Sequence, residues 1–368
     1  MPSSSRSTDR RWLRIRSRLD LVAAVPYLIG FHPYDSLVLL GFAGAEVVFS
    51  SRLDLPLSED PGERRRTARY LAGLAERQPI DDVTIVGYGP SFHVDPMIVE
   101  LTIALEEFGL GLRDACRVCG DRLWVYCCDD PECSPPDGVP FDVSTSQVAA
   151  AATVAGLVAL PDRAAFEELV EPDDTATDGA MAFATERAEA RLREAFESDD
   201  VTGARRLLTV RGERLLDAAV TRYADGHRLD DDEAAWLSVL FLLTDFAALV
   251  WRRMVEQPVE PYLPVWRDLV RRVQPDLCAP IAALLAYGAW RTGDGALAGM
   301  AVQRALRECP GYEPARVIHV LLHSGIAPDE LTAELLARRS NRRPAERSDN
   351  RDRAGSEKTS GPHRGETR

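Results

Sequence analysis

Between residues 36 and 55 the chain reads SLVLLGFAGAEVVFSSRLDL, and this stretch limits the possible folds more than any other. Residues 36–42 are apolar after the first position, the pattern of a strand buried on both faces. Residues 46–55 alternate instead. Val47, Phe49, Ser51, Leu53 and Leu55 fall on one face, with Glu46, Val48, Ser50, Arg52 and Asp54 on the other, as in a half-buried strand. Only Ala43, Gly44 and Ala45 separate the two runs, so a hairpin is the simplest connection and seeds a sheet.

The neighbouring segments extend that sheet. Upstream, Ser17 can cap a helix carrying Leu19, Leu21, Val22 and Val25, which Pro26 ends or kinks before the Gly30-Phe31-His32-Pro33 turn. Downstream, 61–77 reads as a charged amphipathic helix, 83–88 as a β-branched buried strand and 94–109 as a helix. Segments 112–118 and 122–128 form a second hairpin about Gly120-Asp121, and an Asp, Pro and Cys-rich loop follows at 129–140. Strands interleaved with helices predict an α/β domain with a mixed sheet over 13–142.

From residue 144 the composition changes to helical periods. Helices are expected at 144–160, 162–169, 179–198, 201–224, 230–256, 262–273, 277–291, 295–308, 312–323 and 328–339, so 143–340 reads as an all-α bundle. Trp236, Trp251, Trp266 and Trp290 lie in apolar stripes and read as core. Gly293, Ala298, Val302, Ala305, Leu306 and Pro310 have the spacing of a TPR-like helical hairpin. Residues 1–12 and 341–368 hold too little apolar surface to order themselves and are expected to be disordered.

Composition narrows the function classes. The net charge is −14, although the first 18 residues hold six Arg against one Asp and the last 28 hold eight basic against five acidic groups. An acidic body repels phosphate backbones, which argues against nucleic acid as a partner. The sequence has neither an apolar run long enough to span a membrane nor a secretory signal pattern, so no membrane partner and a cytoplasmic location are expected.

Candidate sites are few. Cys116, Cys119, Cys128 and Cys133 could supply four thiolates to a tetrahedral zinc, with Cys127 beside them; no other cofactor is suggested. His32, Asp35 and Ser36 share a turn, Arg52 and Asp54 share a strand face, and His93 follows the short strand; these form the candidate ligand-binding set. His319 and His323 are spaced to share a metal but lack a third ligand, and a helix-capping role for His323 fits better. No G-x-S-x-G elbow occurs, and Gly87-Tyr88-Gly89-Pro90 lacks the third glycine and the lysine of a phosphate-cradling loop.

Three separated motifs, DLVAAVPYLIGFHPYDSLVLLGF with SSRLDLP, then WVYCCDDPECSPPDGVP, then AYGAWRTGDGALAGMAVQRALRECPGY, resemble the actinobacterial domain-of-unknown-function family 4192. The resemblance covers residues 13–337 and implies a two-part layout, with no activity attached. The leading expectation is a non-catalytic module that presents a helical groove to a protein partner. The alternatives are an enzyme or small-ligand binder using the C-terminal ends of the sheet strands, and a zinc-stabilised regulatory protein.

Overall fold

Residues 15–56, 60–128, 130–143, 146–154, 157–173, 179–197, 199–326 and 328 are described by the computed structural model of the protein. The expected termini, 1–12 and 341–368, and the last expected helix, 328–339, lie outside this set apart from residue 328.

The seed hairpin forms as its pattern requires. β1 (Ser36–Ala43) and β2 (Glu46–Asp54) pair antiparallel with Leu37 opposite Leu53 and Leu39 opposite Ser51. β1 then pairs antiparallel with β3 (Asp82–Tyr88), and β3 pairs parallel with β4 (Gly111–Cys119). β5 (Arg122–Val125) and the two-residue β6 (Val139–Pro140) complete a mixed sheet in the order β2-β1-β3-β4-β5-β6. β6 falls inside the segment expected to be loop. Two residues carry no periodicity, and Pro140 can join only because it lies at an edge.

Parallel pairing needs a crossover, and α3 (Ser91–Glu107) supplies it between β3 and β4. With α2 (Pro61–Glu76) it covers one face of the sheet. Leu37, Leu39, Val83, Ile85 and Ala115 meet Leu71 and Ala72 of α2, and Met97, Leu101 and Leu105 of α3, in one buried cluster. α3 lies so close to the sheet that a Cβ at Gly87 would fall 2.1 Å from Val94 Cγ1. On the opposite face Ser36, Val38 and Leu40 of β1 register with Tyr88, Val86 and Thr84 of β3.

α1 (Arg18–Ile29) is capped by Ser17, whose hydroxyl accepts from the Asp20 amide at 3.1 Å. The helix passes through Pro26 and ends three residues later, because the fixed φ of proline suits a helix and only the bond to the Val22 carbonyl is lost. Phe31 bridges to Leu160, with reciprocal backbone bonds of 2.9 Å from His32 to Leu160 and 2.8 Å from Leu160 to Gly30.

The rest is helical: α4 (Gln147–Val154), α5 (Arg163–Glu167), α6 (Ala180–Ala195), α7 (Val201–Ala224), α8 (Asp231–Val239), α9 (Thr244–Glu256), α10 (Leu263–Arg272), α11 (Pro275–Arg291), α12 (Gly295–Glu308) and α13 (Glu313–His323). α11 is buried at every position from Leu277 to Trp290 except Pro280, so it forms the centre of this half. α11 and α12 make the expected hairpin, with Asp294 capping α12 through the Leu297 amide at 3.0 Å.

The single helix expected at 230–256 is two helices bent by 101°, with Leu243 in extended backbone between them. The bend lets Phe241 and Phe246 meet edge to face, with Phe241 also edge-on to Trp266, so an apolar run too broad for one helical stripe is buried from two directions. Trp236, Trp266 and Trp290 are buried as expected, and Trp251 is partly so. Among the described residues no single helix is long and apolar enough to cross a membrane.

The described residues up to Gly325 form one compact unit. Asp54 of β2 pairs with Arg163 of α5, and Arg77 after α2 donates to the Ser324 carbonyl at 3.0 Å beyond α13. Gly87→Ala should lower unfolding stability by about 1–3 kcal/mol, since a buried methyl must displace Val94. Urea denaturation checks this, and an unchanged midpoint would mean that α3 is not seated on β3.

Candidate functional site

The carboxyl ends of β3 and β4 lie side by side, and a cleft of about 950 Å³ opens there. That volume lies within the range of small-molecule sites. Tyr88 and Gly89 enter from the end of β3, Val118 to Asp121 from the end of β4 and the turn that follows it, and Pro140 to Val143 from the end of β6 and the strap beyond it. Val22 and Pro26 of α1 form one wall, and His32, Pro33 and Tyr34 complete the rim.

Two backbone features shape this end of the sheet. Asp35 has a φ of +39°, a left-handed conformation in which no other non-glycine residue is found among the described residues. It costs about 1 kcal/mol or more, and the bond from the Leu55 amide to the Asp35 carbonyl at 2.9 Å helps hold it. Opposite, Gly89 has a φ of +133°, and a Cβ there would lie 2.7 Å from Asp35 Oδ1. Both residues are therefore fixed by the close approach of two strand ends.

Polar atoms in this region are buried without partners. Asp35 Oδ1, Ser36 Oγ and the Tyr88 hydroxyl are all enclosed and make no hydrogen bond. Ser36 and Tyr88 stand opposite each other in the β1–β3 register. Burial, with the nearby Cys116 adding to it, pushes the Tyr88 hydroxyl well above its ordinary pKa, so it stays protonated. An unpartnered buried polar group is destabilising by about 1–3 kcal/mol. Three at one sheet end are a departure that packing alone does not explain.

Behind the cleft, Arg117 fixes the strand ends from the other face. It is 7% exposed, donates to the Tyr126 hydroxyl at 3.1 Å and to the Gly89 carbonyl at 3.4 Å, and lies 3.6 Å from Asp95 of α3. Its guanidinium covers the Trp124 ring at 3.8 Å.

The residues singled out from sequence distribute as follows. His32 lines the cleft, and Asp35 and Ser36 lie at the strand end beside it. His32 is exposed at the rim, yet partial burial lowers its pKa, so it is neutral at pH 7. Arg52 and Asp54 are elsewhere: they pair at 2.5 Å, and Asp54 continues to Arg163, which reaches Glu167 at 2.7 Å. Burial opposes ionisation of Asp54, but Arg52 and Arg163 prevail and hold its carboxyl below the usual range. This ion-pair chain joins β2 to α5. His93 packs against Phe92 in the first turn of α3 and is not a lining residue.

The cysteines separate. Cys116 is buried in β4 opposite Val125, whereas Cys119 lies three positions on and lines the cleft. An odd step along a strand places the two on opposite faces. Cys128 and Cys133 lie in the loop after β5, with Arg18 Nη1 3.5 Å from Cys133 Sγ. That guanidinium, with the Cys128 thiol, holds Cys133 below the ordinary thiol range. Among the described residues no three His, Cys, Asp or Glu side chains gather round a common metal position. His323 Nδ1 donates to the His319 carbonyl at 2.9 Å, closing the end of α13.

Sequence reasoning placed a possible ligand site around residues 87–93 and the 30–36 turn, which hold Tyr34 and Tyr88 without singling them out, and it missed Asp121, Phe141 and Asp142. The signal left unused was the turn after β4, since ligands in open α/β sheets favour the carboxyl ends of both adjacent strands.

A family model described as "Domain of unknown function (DUF4192)" matches residues 19–329, and the chain belongs to that family. No curated protein and no solved structure matches it significantly.

Tyr88→Phe should raise the unfolding stability of the ligand-free protein by about 1 kcal/mol, because it removes a buried hydroxyl that has no partner. Denaturant unfolding provides the check. A loss of similar size would show that the hydroxyl is bonded within the protein.

Proposed function

We propose that this DUF4192 protein binds a small neutral or cationic organic molecule in the cleft at the carboxyl ends of β3 and β4. One coincidence carries the reading: a cleft of about 950 Å³ adjoins both the strained Asp35 and three of the buried oxygens that make no hydrogen bond. Departures from good packing and hydrogen bonding concentrate where a protein is shaped for something other than stability.

The charge of the ligand follows from the lining. Asp121 is exposed at the cleft, and no Lys or Arg is among the residues that form it. Phosphates and carboxylates therefore meet an unfavourable field, and a cation meets a favourable one. Val22, Pro26, Val118, Pro140, Phe141 and Val143 offer apolar surface for the body of the ligand. Neutral His32 offers one donor and one acceptor at the rim.

The protein-docking reading draws support from the helical half, where α13 exposes Val317 and Val320. The cleft is preferred because a docking surface gives no reason for strain and unpaired oxygens at the sheet end.

Thermal unfolding with a library of small amines, neutral heterocycles and organic phosphates tests the proposal. Binders should come from the first two groups, with stabilisation of about 3 kcal/mol at a hundredfold excess over Kd. Asp121→Asn should weaken cationic binders roughly threefold to tenfold and leave neutral ones nearly unchanged. Acidification below the ordinary histidine range should also weaken the cations: partial burial lowers the His32 pKa, so the ring gains its proton only at a lower pH than a free imidazole and then opposes a bound positive charge. Exclusive stabilisation by phosphates would refute the reading.

A further inference from the structure

α3 has two apolar faces. At roughly 100° per residue, Val94, Met97, Ile98, Leu101, Ala104 and Leu105 point to one side, where they are buried against the sheet. Phe92, Pro96, Val99 and Ile103 fall within about 60° of one another on the opposite side. There Phe92 is 71% exposed, Val99 57% and Ile103 48%, and Pro96 is partly exposed. A helix that only covers a sheet carries polar residues on its outer face. This one carries steps of four, three and four residues between apolar positions, the spacing of a coiled-coil seam.

Polar groups rim the stripe and are already engaged. On the side of α2, Arg65 reaches Glu100 at 3.4 Å and Arg69 pairs with Glu107. On the other side Asp95 accepts from the Tyr126 hydroxyl and lies 3.6 Å from Arg117. An apolar centre inside a polar rim is the anatomy of a protein–protein interface.

We propose that the partner is a second copy of this chain, seated antiparallel on α3 about a two-fold axis. The stripe reads the same from either end, since its four positions are symmetric about the midpoint between Met97 and Ile98. A two-fold axis there sets Phe92 against the partner's Ile103 and Pro96 against the partner's Val99. The flanks match too. In this register His93 comes beside the partner's Glu100, and Asp95 comes beside the partner's Thr102, so these pairings put no like charges together. A parallel seam would instead bring Asp95 beside the partner's Glu100, two carboxylates. The stripe spans about three helical turns, which puts the interface at the small end of specific ones and association in the micromolar range. It faces away from the sheet, so the proposal is independent of the cleft and its ligand.

Sedimentation velocity of the full chain over a dilution series tests the proposal. The protein should pass from monomer to dimer as its concentration rises through the micromolar range. Val99→Lys should weaken the dimer roughly hundredfold, because each dimer then loses two apolar side chains from its centre. The same variant should keep the urea midpoint of the monomer, since the position is exposed and lysine forms helix more readily than valine. Phe92→Glu and Ile103→Lys read the register. Each alone should dissociate the dimer, and the two together should recover roughly tenfold, because the new carboxylate meets the partner's new ammonium group. Within one chain these positions are about 16 Å apart along the helix, too far to pair with each other. A chain that stays monomeric throughout the series leaves the face to a different partner and overturns the proposal. A dimer that Val99→Lys leaves intact overturns it as well, and so does a double variant that associates no more tightly than either single one.

Discussion

Parallel pairing between β3 and β4 is the constraint on which the rest of the described fold turns. Two parallel neighbours cannot be joined by a hairpin, so the chain must leave the sheet, cross it as α3 and return. That crossover covers one face with Val94, Met97, Leu101 and Leu105 and leaves the carboxyl ends of both strands side by side. It also requires residue 87 to be glycine, since α3 leaves no room for a side chain there. The cleft follows from the same connection.

The strain at Asp35 belongs to this geometry. β1 runs antiparallel to β3, so its amino end meets the carboxyl end of β3, and Asp35 must turn the chain into the strand opposite Gly89. Ser36 and Tyr88 then face each other with their hydroxyls enclosed and unpaired. Apolar residues at these two positions would remove the penalty at no cost to the pairing, which is why their presence bears on function more than on stability.

Much of the fold was legible because it rests on local periodicity. The continuous apolar run of β1 and the alternation of β2 announce a central strand and its edge partner, and the composition change near residue 144 marks the passage to helices. Local pattern fails where tertiary packing decides. Leu243 looks helical and is extended, because Phe241 and Phe246 gain more by meeting across a bend. β6 is too short to have a period. The cleft was half visible: the His32 to Ser36 turn stands out for its residue types, whereas Asp121, Phe141 and Tyr88 are ordinary in sequence and converge only through the crossover. Arg52 and Asp54 share a strand face as expected, but Arg163, more than a hundred residues away, engages Asp54.

The central claim is that the space above the ends of β3 and β4 exists to hold a small molecule. A crystal structure of the protein purified under native conditions and soaked with the strongest amine binder tests it most directly. The account predicts continuous density larger than water between Pro26 and Phe141, in contact with Tyr88 and Asp121. Density for the amine elsewhere on the surface, with the cleft closed by its own side chains, would contradict it.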